Sequence, residues 1–374
     1  MKVLHVVGAR PNYMKVAPIM AEMGAHPHEF QQVLVHTGQH YDRNMSDCFF
    51  EQLAMPEPDE FLGIGSGTHA QQTARVMLAF EPALAKHRPD WVFVVGDVNS
   101  TLACALVCAK LGIPVAHIEA GLRSRDMTMP EEINRLLTDQ IADLLFTPSR
   151  DGDENLRREG VSPDKIHFVG NVMIDSLTRM LPAAQRLGVL SDFGLCPRKY
   201  VLATFHRPSN VDDPVKLREL LSALKAIARE FSVVFPVHPR TSQRIASLGT
   251  HSCDNGLQLL QPLGYLEFLA LMNSAAVVLT DSGGVQEETT FLGVPCLTVR
   301  PSTERPVTIS EGTNRLVPGD CAGITSAFAE AMCVPGGNGK HPELWDGSAA
   351  KRIVEVMLRL HISTVQHAFI EQAQ

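Results

Sequence analysis

The sequence predicts an α/β protein with two doubly wound parallel sheets that face a cleft. One observation is the apolar run at 276–280, which stops at Asp281-Ser282-Gly283-Gly284 and continues with helical apolar spacing. A second is an earlier copy of this pattern, in which the run at 91–95 ends at Gly96-Asp97 before another helical segment. The third is the length, because 374 residues exceed the usual size of one hydrophobic core. Alternating strands and helices form parallel sheets, and ligands bind beyond the carboxyl ends of their strands.

The first half of the chain alternates apolar runs with helical patterns up to about residue 170. The apolar, β-branched runs predict strands, and the segments with helical spacing predict the helices between them. In chain order we predict a strand at 2–7, a helix at 13–24, a strand at 32–36, a helix at 69–87, a strand at 91–95, a helix at 100–111, a strand at 115–118, a helix opened by Pro130 and a strand at 166–169.

A second series with the same alternation follows a stretch interrupted by proline and glycine before Tyr200. We therefore place a first domain at 1–172 and a second at 173–359. The elements predicted for this part are a helix at 174–187, a strand at 200–205, a helix at 214–231, strands at 233–237 and 257–260, a helix at 265–273, a strand at 276–280, a helix that Gly293 closes, a strand at 296–299 and a final helix at 349–360.

Composition excludes several classes of protein. With 45% hydrophobic and 20% charged residues, the chain has the composition of an ordinary globular protein. A net charge of −8 argues against bulk electrostatic binding of nucleic acid. No apolar run reaches the ~20 residues of a membrane span, and the short apolar start ends too early for a secretory signal, so we expect a cytoplasmic protein. The eight cysteines are scattered and predict no metal site.

Two of the turns have the composition of anion-binding sites. Ser282, Gly283 and Gly284 stand where the first backbone N–H groups of a helix lack partners, and such a turn suits a phosphate. Arg10 and Lys15 flank the start of the first helix, where a cation is unfavourable unless an anion answers it. We interpret them as anion contacts rather than as solvated charges.

Seven short motifs occur in order between residue 2 and about residue 320. They are Gly-Ala-Arg-Pro at 8–11, His-Ile-Glu-Ala-Gly-Leu-Arg at 117–123, Pro-Glu-Glu-Ile-Asn-Arg at 130–135, Thr-Phe-His-Arg at 204–207, Pro-Val-His at 236–238, Asp-Ser-Gly-Gly-Val-Gln-Glu-Glu at 281–288 and Thr-Glu-Arg-Pro at 303–306. Together they resemble the non-hydrolysing UDP-N-acetylglucosamine 2-epimerases.

This resemblance implies a fold, an assembly and a reaction. The fold is two Rossmann-like domains in a glycosyltransferase-B-like arrangement, with a C-terminal helix at 360–374 packed back on the first domain. The assembly is a homodimer. The reaction interconverts UDP-N-acetylglucosamine (UDP-GlcNAc) and UDP-N-acetylmannosamine (UDP-ManNAc) in the cytoplasm without NAD or a metal, and the product serves cell-surface polysaccharide biosynthesis.

The family's chemistry explains why several carboxylates are needed. No carbonyl adjoins C2 of the sugar, so the family eliminates UDP from C1 while the C2 proton leaves, and then adds UDP back with protonation from the other face. Two faces need two proton-handling groups or one mobile group, and a cationic C1 favours nearby carboxylates.

By resemblance, the catalytic residues are Asp97, Glu119 and Glu131 of the first domain and His206 of the second. Which of them acts on which face is left open. The residues alone allow other roles: Asp97 as a helix N-cap, Glu119 as the ion-pair partner of Arg123, and Glu131 as a negative charge at a helix start.

The nucleotide is expected on the second domain. Ser282, Gly283 and Gly284 would contact the phosphates, and Glu288 would accept hydrogen bonds from the ribose hydroxyls. Glu287 lies about 100° round the helix and would point elsewhere. The cations for the diphosphate are Arg10, Lys15 and Arg305, whose charge favours UDP as a leaving group.

The resemblance also implies a second UDP-GlcNAc site that activates many bacterial members. Its residues would be Gln39, His40, Gln72, Arg207 and His238. Two neighbouring positions depart from the pattern, because Asp42 and Gln71 replace a frequent Gln and a frequent Arg. The changes remove positive charge near a diphosphate and predict weaker activation, unless Arg43 or Arg75 restores it.

Other functions remain open from sequence. An epimerase of a modified UDP-2-acetamido sugar, such as a 2,3-diacetamido uronate, would share every motif. A glycosyltransferase of the same architecture, or a non-catalytic UDP-sugar sensor, would share the nucleotide site but has no need of three clustered carboxylates.

Overall fold

The computed structural model describes residues 1–39, 52–248, 253–254, 256–333 and 341–372. The chain forms two compact units. The first consists of Met1–Ser176 together with Glu343–Gln374, and the second is Leu177–Pro342.

The first unit is built on a seven-stranded sheet in which every pair of neighbouring strands is parallel. Its strand order is β3-β2-β1-β4-β5-β6-β7, so the winding direction reverses between β1 and β4. In a doubly wound sheet this reversal opens a ligand crevice at the carboxyl ends of the strands. The strands are β1 Lys2–Val7, β2 Gln31–His36, β3 Glu60–Phe61, β4 Trp91–Val95, β5 Val115–Ile118, β6 Leu144–Thr147 and β7 Ile166–Phe168.

Helices connect these strands, and a buried apolar core fills the space beneath them. Val6, Val94 and Cys104 are among its members, and its residues alternate along β1, β2 and β4, so this core covers one face of the sheet. Val7 and Phe93, which point to the other face, are also buried, as a covered parallel sheet requires. The helices are Arg10–Gly24, His69–His87, Asn99–Leu111, Pro130–Ile141 and Arg150–Arg158, with a short 3₁₀ turn at Pro163–Lys165. The next helix, Val172–Arg186, begins in the first unit and ends in the second.

The second unit repeats the plan with strand order β10-β11-β9-β8-β12-β13-β14. All pairs are parallel except β10 with β11, and the winding reverses between β8 and β12. Its strands are β8 Tyr200–Thr204, β9 Ser232–Pro236, β10 Cys253–Asp254, β11 Leu257–Leu260, β12 Val277–Thr280, β13 Cys296–Val299 and β14 Asn314–Val317.

Apolar clusters lie on both faces of this second sheet, one including Phe235 and Leu279 and the other including Leu202 and Val278. Successive strand residues therefore alternate between two cores. The helices are Val189–Asp192, Pro208–Val211, Pro214–Ile227, Pro239–Ser247, Tyr265–Ser274, Gly283–Leu292, Val307–Ser310 and Cys321–Cys333.

The last helix, Ala349–Gln372, belongs to the first unit, where it contacts the helix Arg10–Gly24. Its first backbone N–H groups, at Ala349 and Ala350, donate to the carboxylate of Asp175 at 3.2 and 2.8 Å. Burial raises the pKa of Asp175 to about 6. Among the helices described, none has the length and apolar character needed to cross a membrane.

Candidate active site

In the first unit, Lys15 and Glu119 form a buried ion pair at the carboxyl end of the sheet. Gly96, which follows β4, passes close to this pair. A Cβ at Gly96 would lie 3.0 Å from Lys15 Nζ and 3.4 Å from Glu119 Oε2, and its φ is +66°, so this position requires glycine. Glu119 itself has a φ of +68°, a region that residues other than glycine seldom adopt.

The partner of Glu119 differs from the one considered from sequence. Arg123 does not pair with Glu119. It lies 2.7 Å from Asp139 and 2.7 Å from Glu159 instead. Lys15 therefore takes the place of Arg123 and joins a predicted diphosphate cation to a predicted catalytic carboxylate.

A buried network behind this pair supports the turn at Gly96. His117 Nδ1 lies 2.6 Å from Asp139 Oδ1, and His117 Nε2 lies 2.8 Å from the carbonyl oxygen of Gly96. Burial alone would raise the pKa of Asp139, but His117 and Arg123 outweigh it, and the pKa is lowered. Asp139 is thus an anion that orients His117, and no sequence motif identified it.

Asp97 pairs with Arg135, whose Nη1 lies 2.5 Å from its Oδ2. The N-cap alternative for Asp97 is wrong, because the N-cap of the helix Asn99–Leu111 is Val98 and no side chain caps it. The competing partner comes from 38 residues later in the chain. Arg135 is in turn held by Glu132 at 2.6 Å.

Glu131 and Glu132 have different roles in the structure. Glu132 is buried and accepts hydrogen bonds from the backbone N–H groups of Ser124 and Arg125 at 2.9 and 2.8 Å. Burial would raise its pKa, but these bonds and Arg135 lower it. Glu131, in contrast, lines a pocket.

The pocket has a volume of about 320 Å³ and lies wholly within the first unit. Asp97 and Glu131 both line it, and so do Gln39 and Gln72. The structure therefore brings two predicted catalytic carboxylates beside two residues predicted for the activator site.

Buried hydrogen bonds fix both glutamines. Gln39 Oε1 accepts from Ser100 N at 3.1 Å and from Ser100 Oγ at 2.8 Å. Gln72 donates to the carbonyl oxygen of Gln39 at 3.3 Å and accepts from Asn99 Nδ2 at 2.7 Å. Of the other activator candidates, Arg207 and His238 belong to the second unit, and His40 lies outside the described residues.

In the second unit, the turn after β12 has the predicted form. Ser282 is the N-cap of the helix Gly283–Leu292, and its side chain makes no capping bond. Arg305 lies beside this turn, since a Cβ at Gly283 would be 2.6 Å from its Nη1. The helix start with Gly283 and Gly284 therefore combines unpaired N–H groups with an adjacent cation.

Arg305 is held in place by Glu287, with 2.8 Å between Nε and Oε1. From sequence we expected Glu287 to point elsewhere than Glu288, and the residue that it contacts is Arg305. It faces the cation that we predict for the diphosphate. Glu304 lies 3.6 Å from Arg305 and 2.8 Å from Arg300; burial alone would raise the pKa of Glu304, but these arginines lower it far below its usual range.

Glu288 is also buried, and its one described side-chain donor is the Tyr265 hydroxyl at 2.8 Å. Burial raises the pKa of Glu288 to about 7, with a further contribution from Glu287 and an opposing one from Tyr265. Such a carboxylate is short of donors, and ribose hydroxyls would supply them.

His206 follows β8 and pairs with Asp281, which follows β12. The Nδ1 to Oδ1 distance is 2.9 Å, the His206 side chain is 59% exposed, and the Asp281 side chain is fully buried. Sequence motifs contained Asp281 but did not assign it a role. The pairing of β8 with β12 in the sheet is what brings the two together.

The remaining candidates are distributed as follows. Arg10 is the first residue of the helix Arg10–Gly24, and Lys15 is on the same helix. In the part of the chain that the structure describes, no group of three or more His, Cys, Asp or Glu side chains could hold a metal ion.

The chain is similar in sequence to known proteins over most of its length. The sequence profile of the UDP-N-acetylglucosamine 2-epimerases matches residues 22–358. The UDP-N-acetylglucosamine 2-epimerase of Methanocaldococcus jannaschii is 40% identical over 365 residues, which cover 96% of this chain and 99% of that protein. The UDP-2,3-diacetamido-2,3-dideoxy-D-glucuronate 2-epimerase of Pseudomonas aeruginosa is 46% identical over 321 residues, which cover 85% of this chain and 88% of that protein.

A solved structure matches over the same extent. The crystal structure of the Methanocaldococcus jannaschii UDP-GlcNAc 2-epimerase in complex with UDP-GlcNAc and UDP has a TM-score of 0.88 and 39% identity, covering 96% of this chain and 100% of that chain. The predicted fold class, two Rossmann-like doubly wound sheets of the glycosyltransferase-B-like type, is confirmed. The profile match and these identities over nearly the whole length show that the chain belongs to the UDP-N-acetylglucosamine 2-epimerase family of isomerases.

Proposed function

We propose that this chain interconverts UDP-GlcNAc and UDP-ManNAc. The observation that carries the proposal is the pocket of the first unit, which Asp97 and Glu131 line together. Inversion at C2 needs proton-handling groups for two faces of the sugar, and two carboxylates on one pocket can provide them. The reaction named for the relative that is 40% identical over 96% of the chain supports the same assignment.

The reaction proceeds by loss and return of UDP. A carboxylate of the first unit takes the C2 proton while the C1–O bond breaks, and the products are 2-acetamidoglucal and UDP. UDP then adds back to C1 while a proton is delivered to C2 from the opposite face. Arg135, at 2.5 Å, orients the carboxylate of Asp97, and Lys15 does the same for Glu119.

The second unit binds the UDP portion. The N–H groups at Gly283 and Gly284 and the hydroxyl of Ser282 contact the phosphates, and Arg305 stabilises the charge that develops as UDP leaves. Arg10 and Lys15 are the other cations for the diphosphate. Glu288 accepts hydrogen bonds from the ribose.

A modified sugar is the second candidate substrate. The relative that acts on a UDP-2,3-diacetamido uronate is 46% identical, against 40% for the UDP-GlcNAc 2-epimerase of Methanocaldococcus jannaschii. That sugar differs from GlcNAc by an acetamido group at C3 and a carboxylate at C6. The elimination at C1 and C2 would be unchanged, so the same residues would serve.

The test is incubation of the purified protein with each UDP-sugar alone in D₂O, followed by NMR. Deuterium at C2 and formation of the manno epimer are expected, and Asp97→Asn is the matched inactive control. The sugar with the larger kcat/KM is the substrate. Absence of C2 exchange with both sugars would contradict epimerisation and favour a transferase or a sensor.

We also propose that the chain forms a homodimer and works in the cytoplasm, where its product supplies cell-surface polysaccharide biosynthesis. Three neighbouring helices of the first unit, His69–His87, Asn99–Leu111 and Pro130–Ile141, support a dimer because they pack side by side. They expose large apolar side chains to solvent, and such side chains on neighbouring helices favour a protein contact. The exposed fractions are 75% for Leu78, 48% for Leu111, 39% for Ile133 and 49% for Leu137.

A further inference from the structure

We infer that Asp281 is a positioning residue for His206 and holds its neutral ring in the tautomer whose Nε2 carries no proton. The inference rests on the proposed function, because it concerns the histidine that we assign to that reaction. It adds a residue and a protonation pattern that no sequence motif specified.

The carboxylate of Asp281 is the centre of a small hydrogen-bond network. Its Oδ1 faces His206 Nδ1 at 2.9 Å and accepts from His206 N at 3.1 Å. Its Oδ2 accepts from Arg207 N at 3.0 Å and from Asn210 Nδ2 at 2.9 Å. Since Asp281 is fully buried, these donors replace all of its water.

The charge state of Asp281 determines the tautomer of His206. Burial would raise the pKa of Asp281, but the bonds from His206, Asn210 and Arg207 outweigh burial, and the pKa is lowered. An ionised carboxylate can only accept hydrogen bonds, so Nδ1 of His206 must carry the proton. In the neutral ring Nε2 then holds a lone pair.

Among the described residues, two further charged groups bear on the pair of His206 and Asp281: Arg207 contacts Asp281, and Glu304 contacts Arg207. Arg207 is the second basic residue at Asp281, and its Nε donates to the carbonyl oxygen of Asp281 at 3.1 Å. Arg207 Nη2 also lies 3.6 Å from Glu304, which engages Arg300. The charge of Arg207 is therefore shared with a second carboxylate, and Asp281 is the anion that directly faces the His206 ring.

This arrangement gives His206 a defined task. Its ring is 59% exposed, whereas its Nδ1 points to the buried carboxylate. In the direction described above, where a carboxylate of the first unit takes the C2 proton, the protonated ring delivers a proton from Nε2 to the opposite face of C2. In the reverse direction Nε2 takes that C2 proton and the carboxylate returns one. While the ring holds that proton it is cationic, and Asp281 stabilises the charge at 2.9 Å.

The substitution Asp281→Asn tests the tautomer directly. Arg207 N and Asn210 Nδ2 donate at the Oδ2 position, and His206 N, 3.1 Å from Oδ1, is also 3.3 Å from Oδ2. The amide oxygen of the variant is therefore expected at the Oδ2 position, where all three donors reach it. The amide NH₂ then faces His206 Nδ1 and donates to it. The ring proton must move to Nε2, which can no longer accept a proton.

The first measurement is long-range ¹H–¹⁵N NMR of the imidazole nitrogens, with the His206 signals assigned from their loss in His206→Gln. We expect an Nδ1–H tautomer in the wild-type protein and in Asn210→Ala, which keeps the carboxylate, and an Nε2–H tautomer in Asp281→Asn. An Nε2–H tautomer in the wild-type protein would overturn the inference. This readout needs no substrate and stands even if Asp281→Asn fails to fold.

The second measurement is a double-mutant cycle on C2 exchange of the UDP-sugar that the wild-type protein epimerises. We expect Asp281→Asn to lower kcat about 10²-fold, as for loss of a proton-handling group, and to change KM less than threefold. In the His206→Gln background the same substitution should cost nothing further. An equal loss in both backgrounds would show that Asp281 serves only the fold. If the wild-type protein exchanges neither sugar, the proposed function fails, while the tautomer result still decides the role of Asp281.

Discussion

Glu288 is a residue at which burial and ligand binding make opposite demands. Its pKa of about 7 lies above the roughly 4.3 of an unfolded glutamate. Between these pH values the folded state binds more protons than the unfolded state, so the free energy of unfolding falls as pH rises from about 4.3 to 7. Above pH 7 the full cost of a buried charge is present.

We therefore predict that Glu288→Gln stabilises the ligand-free protein at pH 8 by about 3–4 kcal/mol, which is the difference of about 2.7 pKa units at about 1.36 kcal/mol each, and changes it little at pH 4.5. Urea unfolding at the two pH values measures the difference. The same substitution should weaken the binding of UDP by about 1–3 kcal/mol, because the ribose hydroxyls lose a charged acceptor. A variant that is destabilised at pH 8 would contradict the burial argument.

Glu287→Gln is the matched control, because this neighbour contacts Arg305 rather than the proposed ribose site. Calorimetry with uridine and with UDP distinguishes the role of Glu288 at the ribose from that of Glu287 at Arg305. Glu288→Gln should weaken both ligands, whereas Glu287→Gln should weaken UDP and leave uridine unchanged. Equal losses of uridine would show that both carboxylates face the nucleoside.

Two neighbouring glutamates allow a similar comparison in the first unit. Asp97→Asn and Glu131→Gln should each lower turnover by about 10² or more, with UDP binding and thermal stability retained. Glu132→Gln should instead lower the melting temperature, because it removes the buried acceptor of Ser124, Arg125 and Arg135. Near-normal turnover in Asp97→Asn or Glu131→Gln would remove that residue from the mechanism.

At the scale of single elements, the helix Gly283–Leu292 begins at a glycine that we propose to contact the phosphates and is followed by a glycine that ends the helix. In Gly283→Ala the new Cβ would meet Arg305 Nη1 at 2.6 Å and displace the guanidinium. We expect UDP affinity to fall about tenfold, which is about 1.4 kcal/mol, with little change in melting temperature.

Gly293→Ala is the control for this prediction. Gly293 ends the helix with a φ of +66°, and its Cβ position has no other atom within 4 Å. A side chain there costs about 1–2 kcal/mol of stability through the left-handed backbone, and UDP affinity should not change. Unchanged UDP affinity in Gly283→Ala would show that Arg305 is not a diphosphate ligand.

The elements that could be predicted from sequence are those with long apolar runs or strong stop signals. β1, β4 and β5 occur with the predicted bounds, as does the helix His69–His87. β6, β14, Arg150–Arg158 and Cys321–Cys333 were not identified. The two strands have four residues each. β6, Leu-Leu-Phe-Thr, is an apolar run too short to be distinguished from a helix, and β14, Asn-Arg-Leu-Val, has only two apolar residues.

Motifs provide most of the candidate site residues, but the contacts that these residues make could not be predicted from the sequence. Asp97 is of a residue type that often caps helices, but it pairs with Arg135, which lies 38 residues later in the chain. Glu119 is followed four residues later by Arg123, yet it pairs with Lys15 across 104 residues. Such contacts depend on which strands lie side by side, and local spacing carries no information about that.

At the scale of the whole molecule, the exposed apolar side chains of the first unit allow a test of the dimer. We predict that Leu137→Lys converts a dimer into a monomer, because a charge would be desolvated at the centre of the contact. Light scattering measures the mass. Val215→Lys is the control, since Val215 is 63% exposed on the second unit and should not alter the mass. A wild-type monomer would refute the proposal.

Activation by a second UDP-GlcNAc remains a prediction from sequence. Gln71 forms a capping box with Thr68, the N-cap residue of the helix His69–His87. Arg75 Nη1 donates to the carbonyl oxygen of Ser66 at 3.4 Å. Asp42 and Arg43 lie outside the described residues. We expect the initial rate from UDP-ManNAc alone to rise only modestly when trace UDP-GlcNAc is added. Strict dependence on the trace would contradict weak activation.

The return of the helix Ala349–Gln372 to the first unit imposes an order on biosynthesis. Translation from Met1 delivers the sheet β1–β7 early, but the helix that packs on Arg10–Gly24 comes only after the whole second unit has been made. Until then, the surface of the first unit that the helix Ala349–Gln372 covers in the finished protein is exposed to solvent. The carboxylate of Asp175 also lacks the hydrogen bonds from Ala349 N and Ala350 N until that helix has been made. A stop codon just before the codon of Ala349 would thus damage the first unit, although it leaves every residue of the sheet β1–β7 in place.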